Sequence, residues 1–209
     1  MRIAYFDLIS GLSGDMTAGA LLHLGVPRER LTRELAKLKG LKFRLQVSRK
    51  LVHGIQATRF RVQVDEKPQE RSWKEIQRLI NRSALKSEVK ERGLHIFETL
   101  AKAEGKIHGV PPEKVHFHEV GAVDSIVDIL AAAIGTHHLK IESFVFSRIP
   151  LGRGLTRSRH GSLPVPAPAT LELLKGYPVQ GTPLSSEIVT PTGAAIIRAL
   201  AHQFGEMPA

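Results

Sequence analysis

Hydrophobic residues recur along this chain with two different periods. Between residues 123 and 134 they recur at spacings of three and four, which predicts an amphipathic helix. In residues 43–47 and 60–64 every second position is apolar, which predicts two strands. His53 and Gly54 lie between them and are typical of a tight turn, so we expect one long antiparallel hairpin with a polar face.

The remaining pattern alternates strands and helices. Residues 2–8 read as a buried strand before an apolar helix, and residues 72–81 as a further helix. A longer helix starts at Ser83 or Ser87 and reaches residues 105–109, and residues 144–149 read as another strand. Thr190 is expected to cap a last helix. This order predicts an α/β fold, with α+β as the alternative: a mixed sheet with flanking helices, the long hairpin and a helical insertion. We expect residues 1–209 to be one portion of a longer protein. Within this portion, residues 66–112 are expected to form a helical subdomain.

Composition is that of a soluble globular protein. Hydrophobic residues make up 42% of the 209 residues and charged residues 24%. No cysteine occurs, which excludes disulfides, thiolate metal ligands and cysteine nucleophiles. No apolar run reaches the length of a membrane span, and the first residues do not resemble a signal peptide. We therefore expect a cytoplasmic protein that does not bind membranes.

The net charge of +10 indicates an anionic partner. Residues 28–50 hold nine Lys or Arg against two Glu, and a solvated face explains them best. Residues 148–160 hold four arginines and no acid within a Gly-rich stretch, which favours a phosphate-binding loop. Residues 150–170, rich in glycine and proline, are too long for a simple connector and are expected to form an ordered loop over a site.

The densest group of chemically useful side chains lies in residues 116–128. A short extended segment there places two histidines on one side, and the following helix places two aspartates four residues apart near its N-terminus. Imidazoles with carboxylates suit nickel, zinc or iron. The alternative interpretation is a pair of solvated histidines and acids that merely favour a helix N-terminus. The group consists of His116, His118, Glu119, Asp124 and Asp128.

A second candidate site is the turn between the first strand and the first helix. Glycines and serines at a helix N-terminus can bind a phosphate or carboxylate through backbone N–H groups. The pattern matches neither a Walker loop nor a dinucleotide fingerprint, and Ser13 as a simple helix cap is the alternative. The turn residues are Ser10, Gly11, Ser13 and Gly14, flanked by Asp7 and Asp15.

Four of these stretches together resemble one family. Residues 6–16, 116–128, 160–170 and 190–195 are similar, in this order and at these separations, to the LarC family, the nickel insertion proteins of the nickel-pincer cofactor pathway. The resemblance covers nearly the whole chain. It implies a CTP-dependent cyclometallase, a lyase or metal chelatase that places nickel into pyridinium-3,5-bisthiocarboxylic acid mononucleotide with carbon–nickel and sulfur–nickel bonds. The product is the nickel-pincer cofactor of lactate racemase.

The resemblance also implies a missing portion. Family members are about twice this length and bind CTP, with Mg²⁺ or Mn²⁺, in their C-terminal portion. This chain is therefore expected to be a truncated piece or a separately encoded N-terminal half that needs the C-terminal half as a partner, and we expect a homo-oligomer. Two other classes remain as alternatives: a noncatalytic scaffold and a basic nucleic-acid-binding protein. Two tyrosines and one tryptophan offer little surface for stacking on bases, which argues against nucleic-acid binding.

The roles of individual residues are hypotheses based on the sequence. We predict His116, His118, Glu119 and Asp128 as nickel ligands, because nickel must be held loosely enough to be transferred. Forming the carbon–nickel bond removes a ring proton, and the predicted base is Glu119, Asp124 or a histidine. Asp7 and Asp15 are the other predicted catalytic acids, as acceptors for a metal-bound water, with a backbone N–H as the alternative partner. Two candidates compete for the substrate phosphate: the turn formed by Ser10, Gly11, Ser13 and Gly14, and the loop with Arg153, Arg157, Arg159 and His160.

Overall fold

The structure is a computed structural model that describes residues 1–65, 69–118 and 120–208. Within these ranges the helices are α1 (Gly14–His23), α2 (Arg28–Leu35), α3 (Trp73–Arg82), α4 (Ser87–His108), α5 (Val123–His138), α6 (Pro168–Leu174) and α7 (Pro191–Leu200). The strands are β1 (Ile3–Phe6), β2 (Arg44–Val52), β3 (Ile55–Gln63), β4 (Arg71–Ser72), β5 (His116–Phe117), β6 (Ser143–Phe146), β7 (Ile149–Leu151), β8 (Leu155–Ser158), β9 (Gly161–Pro164), β10 (Val179–Gly181) and β11 (Gln203–Phe204). The predicted α/β class is confirmed.

The largest sheet is a parallel one in the order β1–β6–β11. Its buried face is aromatic: the ring of Phe146 lies 4.7 Å from that of Phe6 and 6.1 Å from that of Phe204. Helix α5 contacts α1, α2, α4 and β3, and its residues from Ile129 to Thr136 are all buried. A helix that is apolar on every side belongs at the centre of a core. The C-terminal half of α5 therefore lies inside the core.

The predicted hairpin is present as strands β2 and β3, paired from Arg44 with Gln63 to Val52 with Ile55. His53 and Gly54 both have positive φ angles, of 48° and 84°, as a two-residue hairpin turn requires. The inner face packs on α1, where Gly19 allows close approach because a Cβ there would lie 2.9 Å from the carbonyl oxygen of Thr58. The alternation of apolar residues was therefore a sound guide to this element.

Helices α3 and α4 join the same core as the rest of the chain, since α4 packs against α5, α6 and α7. Ser72 and Glu75 form a reciprocal capping box at the start of α3. Helix α4 ends at Gly109, whose φ of 67° is left-handed, and a short 3₁₀ turn (Pro112–Lys114) returns the chain to β5. The division at residues 66–112 stays a prediction.

Residues 150–170 contain more regular structure than a loop. Strands β8 and β9 form a hairpin whose two-residue turn is Arg159 and His160, and α6 begins at Pro168. Four-residue strands rich in Arg, Ser and Gly lack the apolar alternation by which strands are recognised in sequence. In the described part of the chain no helix has the length and apolarity needed to cross a membrane.

Candidate metal centre

The end of α4 and the end of β5 place two histidines side by side. His108 is the last residue of α4, and His118 follows β5 directly. Ten residues separate them, but the turn through Pro111 and Pro112 folds the chain back. Their ring centroids are 5.5 Å apart.

His160, in the turn of the β8–β9 hairpin, completes the group. Its ring centroid lies 5.1 Å from that of His108 and 5.0 Å from that of His118. One ring nitrogen from each of the three residues lies within 4.8 Å of the other two. Among the described residues, these three are the group of potential metal ligands whose ligand atoms all lie within this distance of one another. We call it the histidine cluster.

Carboxylates orient two of these rings. Glu104 lies one helical turn before His108, with its Oε2 3.4 Å from the Nε2 of that ring. Oε1 of Glu70 lies 3.3 Å from Nδ1 of His118 and 2.5 Å from Nη1 of Arg159. The hydrogen bond with His118, followed by that with Arg159, lowers the pKa of the Glu70 carboxyl. A carboxylate on one ring nitrogen leaves the other nitrogen directed to a metal.

A cavity of about 210 Å³ opens beside the histidine cluster. All three imidazoles line it, together with Glu104 and an apolar wall. That wall consists of Ile107, Leu163, Ala167, Pro168, Ala169 and Pro191. A metal on the three rings would therefore face a partly apolar space in which a planar ligand could approach it.

The chemistry of the cluster is that of an open metal site. Three imidazoles form a ligand set for a divalent metal and leave coordination positions for a substrate. Metal–nitrogen bonds of about 2.0–2.1 Å in a tetrahedral site place the nitrogens roughly 3.4 Å apart. The observed limit of 4.8 Å is within reach of small side-chain rotations. A thiolate-free site of this kind could hold a divalent metal such as nickel without trapping it.

The aspartates of the segment 116–128 lie at a different place, around the N-terminal ends of α1 and α5. Asp128 packs on Gly14 so closely that a Cβ at Gly14 would lie 2.6 Å from the Cβ of Asp128. Asp15 and Asp124 are near enough for their charges to act on Asp128. We call these three residues the aspartate cluster.

Asp128 is the chemically unusual member. Burial raises the pKa of its carboxyl to about 8, and the charges of Asp15 and then Asp124 add to the effect. Its Oδ1 is buried without a hydrogen-bond partner among the described residues. The carboxyl is therefore protonated at neutral pH and can act as a proton donor rather than as a carboxylate.

The predicted phosphate turn is built into the fold next to the aspartate cluster. Leu12 bonds through its N–H to the carbonyl of Ile188, and Gly11 (φ 87°) fits against that carbonyl, where a Cβ would clash at 1.8 Å. Ser13 accepts from Met16 N–H, and its hydroxyl donates to Asp15. Gly14 N–H donates to Thr192 Oγ1. Ser10 is exposed, as is Asp7 just beyond β1.

The arginines of the predicted phosphate loop lie in or beside the β8–β9 hairpin. Arg153 and Arg157 are exposed, and Arg159 is engaged by Glu70 next to the histidine cluster. His160, predicted to bind phosphate, is the residue that the structure brings to His118. Both predicted phosphate sites stay predictions.

The predicted ligand set is divided by the structure. His118 lies in the histidine cluster and Asp128 in the aspartate cluster. His116 is exposed on β5, and its charge acts on Glu75. Glu119 lies outside the described residues. The metal-binding role of His116, Glu119 and Asp128 stays a prediction, as do the catalytic roles of Glu119, Asp124, Asp7 and Asp15.

His108 was not among the metal ligands predicted from the sequence. A usable signal was present: His108 stands immediately before the helix-ending Gly109, and Pro111 and Pro112 force a reversal towards His118. The partnership with His160 had no such signal, because it joins segments 52 residues apart whose hairpin was not recognised.

Comparison with known proteins gives a consistent family. The model of the family described as nickel insertion protein matches residues 4–209. A putative nickel insertion protein of Syntrophobacter fumaroxidans is 53% identical over 208 residues, which are 100% of this chain and 53% of that protein. No solved structure matches the chain.

Two further relatives carry a more specific name, pyridinium-3,5-bisthiocarboxylic acid mononucleotide nickel insertion protein. The protein of Geobacillus kaustophilus is 47% identical over 218 residues, covering 100% of this chain and 53% of its own length. That of Desulfitobacterium hafniense is 48% identical over 208 residues, covering 100% and 52%. The chain thus spans about half the length of the curated relatives it matches.

Proposed function

The chain belongs to the nickel insertion protein family, and from this premise we propose that it is the metal- and substrate-handling part of a nickel insertase. The acceptor of the metal is pyridinium-3,5-bisthiocarboxylic acid mononucleotide, the compound in the names of two relatives. The observation that carries the proposal is the histidine cluster beside its cavity. Nickel is a substrate here, bound in order to be passed on.

The ligand types explain how transfer proceeds. Imidazole nitrogens bind nickel well, but sulfur donors compete strongly for it. The two thiocarboxylate groups of the acceptor can therefore take nickel from the rings of His108, His118 and His160, which line the cavity that the acceptor enters. Without cysteine in the chain, no protein thiolate opposes this transfer.

Formation of the carbon–nickel bond breaks the C–H bond of the ring carbon, so one proton leaves and offsets one of the two positive charges of Ni²⁺, while the thiocarboxylate sulfurs offset the other. A carboxylate is a suitable acceptor. Glu119 and Asp124 are the proposed bases for this step, with a histidine as the alternative, and Glu119 directly follows the ligand His118 in sequence. Asp7 and Asp15 are proposed to hold a metal-bound water instead.

The phosphate of the mononucleotide needs a separate site. Arg153 and Arg157 are exposed on the same segment that carries His160, so they can reach an anion bound near the cluster. The turn from Ser10 to Gly14 is the other proposed site, but the negative charges of Asp15 and Asp124 beside it oppose a phosphate. This favours the arginines.

The finer features of the reaction are also proposed. They are dependence on CTP with Mg²⁺ or Mn²⁺, classification as a lyase or metal chelatase, supply of the nickel-pincer cofactor to lactate racemase, and assembly as a homo-oligomer in the cytoplasm. Because the chain covers about half of its relatives, we expect a C-terminal portion to bind CTP and complete the reaction.

The test is formation of the nickel-containing product. The chain, a relative's C-terminal portion, Ni²⁺, CTP and the acceptor are combined, and the product is followed by mass spectrometry. We expect multiple turnovers with all components, no product with His118→Ala, and unchanged turnover with His95→Ala, a matched change at an exposed position of α4. Equal turnover by the two variants would contradict the proposal. Turnover without the C-terminal portion would refute the division of labour.

A further inference from the structure

The three imidazoles of the histidine cluster differ in how their backbone segments are attached to the core. His108 ends the 22-residue helix α4, whose inner face is buried. His118 follows Phe117, which is 1% exposed and packs against Phe97 with ring centroids 6.3 Å apart. These two ligands are therefore fixed to the core.

His160 lies at the tip of a narrow hairpin. Strands β8 and β9 pair with each other and with no other strand among the described residues. Leu155 is 75% exposed, and Gly161 and Ser162 are exposed as well. The base of the hairpin carries Gly154, whose φ of 110° is open to glycine and strained for other residues. Such an element can move as a unit about its base.

The tip of this hairpin is tied to the rest of the site by a shared carboxylate. Oε1 of Glu70 contacts Arg159, next to His160, and also Nδ1 of His118. One oxygen thus links the hairpin to a ligand that is held by the core. The side chains of Arg159 and Glu70 are 41% and 43% exposed, and an ion pair so exposed breaks easily.

We propose that His160 is an exchangeable nickel ligand carried by the β8–β9 hairpin, and that Glu70 is the positioning residue that holds the hairpin closed. This inference rests on the proposed function. With the hairpin closed, three nitrogens retain nickel. With it open, two remain, the metal is held weakly, and the cavity side that Leu163 of β9 lines is uncovered for the acceptor.

The first test is the rate of nickel release, measured by stopped-flow mixing of the nickel-loaded chain with a chromogenic chelator. Arg159→Ala is expected to release nickel roughly two- to fivefold faster, the range that an exposed ion pair supplies, and Arg159→Lys to restore most of the slow release. Arg59→Ala, an exposed arginine on the β2–β3 hairpin, serves as the matched control. In the double variant Glu70→Gln/Arg159→Ala the two effects should combine to less than their product, because each single change already weakens or removes the contact between Glu70 and Arg159.

The second test needs no metal. The chain has no cysteine, so Ser162→Cys on β9 and Glu91→Cys on α4 accept a pair of spin labels without background. Electron–electron distance measurements should give a narrow distribution that broadens on Arg159→Ala and not on Arg59→Ala.

The outcomes separate the two proposals. A chain that fails to bind Ni²⁺ at all would overturn the proposed function. The spin-label distances would still test whether the contact of Arg159 holds the hairpin in place, because that measurement needs no metal. Normal nickel binding with equal release rates in Arg159→Ala and Arg59→Ala would overturn the inference. A distribution unchanged by Arg159→Ala would overturn it as well.

Discussion

The histidine cluster and the aspartate cluster draw on the two ends of one short segment, yet they are opposite kinds of site. His118 meets imidazoles from distant elements at the edge of a cavity, with carboxylates nearby. Asp128 meets other acids at two helix N-termini, with an oxygen lacking a partner among the described residues. The first offers free electron pairs to a metal, whereas the second holds a proton.

The difference follows from burial. A charge removed from water is costly unless an opposite charge is near. Glu70 has Arg159 and His118 as partners and keeps a lowered pKa. Asp128 has Asp15 and Asp124 as neighbours and takes up a proton instead. Residues of the same chemical type therefore play different roles within one fold.

The largest expected effect concerns the pH dependence of stability. Asp128 keeps its proton in the folded chain up to about pH 8, whereas its ordinary pKa is 3.8. Unfolding between these pH values releases a proton, so stability falls as pH rises through this window and levels off above it. At about 1.4 kcal/mol per pKa unit, the fall is on the order of 5 kcal/mol.

Asp128→Asn removes this titration. Urea unfolding at several pH values should show a stability that declines from pH 4 to pH 8 in the original chain and a smaller decline in the variant. Asp7→Asn, an exposed acid, is the control and should retain the decline. Parallel curves for the original chain and Asp128→Asn would mean that Asp128 titrates normally.

The next effect distinguishes the clusters by metal affinity. His118→Ala removes a ring nitrogen and should weaken Ni²⁺ binding by a hundredfold or more in calorimetry. Asp128→Asn should leave it within about twofold at pH 7, because a protonated carboxyl is a poor ligand. The predicted ligand set gains support over the histidine cluster if His116→Ala and Asp128→Asn weaken binding while His108→Ala does not.

A smaller effect concerns packing around the aspartate cluster. Gly14→Ala places a Cβ 2.6 Å from the Cβ of Asp128, so α1 and α5 must separate. We expect a loss of about 1–3 kcal/mol in unfolding free energy, as overpacked cores show. Nickel affinity should not change. Gly25→Asn, at a helix end with open space and a positive φ, is the control and should cost much less.

The smallest effect concerns the carboxylate behind the metal ligand. Glu70→Gln keeps the shape but weakens the contact with His118, so nickel affinity should fall by roughly tenfold. Glu75→Gln, on the neighbouring capping box, should leave nickel affinity unchanged while lowering stability. Identical nickel affinities for both variants would show that Glu70 does not support the ligand His118.

Much of the fold was predictable because its signals are local. Thr190 caps α7 as expected, and Ser13 caps α1, which was the alternative interpretation of its turn. The positive φ angles of His53 and Gly54 close the predicted hairpin. Each signal depends on a few neighbouring residues.

The site was less predictable because it depends on distant contacts. His118 was recognised as a candidate ligand, but its neighbours His108 and His160 come from a helix end and a hairpin turn. Spacing within residues 116–128 correctly placed Asp124 and Asp128 near a helix N-terminus. The spacing carried no information about burial. Burial is what makes Asp128 hold a proton, whereas the imidazoles of the histidine cluster are open to a metal.

The central claim is that nickel is bound by imidazoles of the histidine cluster. X-ray absorption at the nickel edge of the loaded chain tests it most directly, because ordered imidazoles give a distinct outer-shell scattering. We predict a signal from three imidazoles at nickel–nitrogen distances of about 2.0–2.1 Å. It should fall to two in His160→Ala and stay at three in His116→Ala. A first shell of carboxylate oxygens with no imidazole scattering, unchanged in His160→Ala, would contradict the claim.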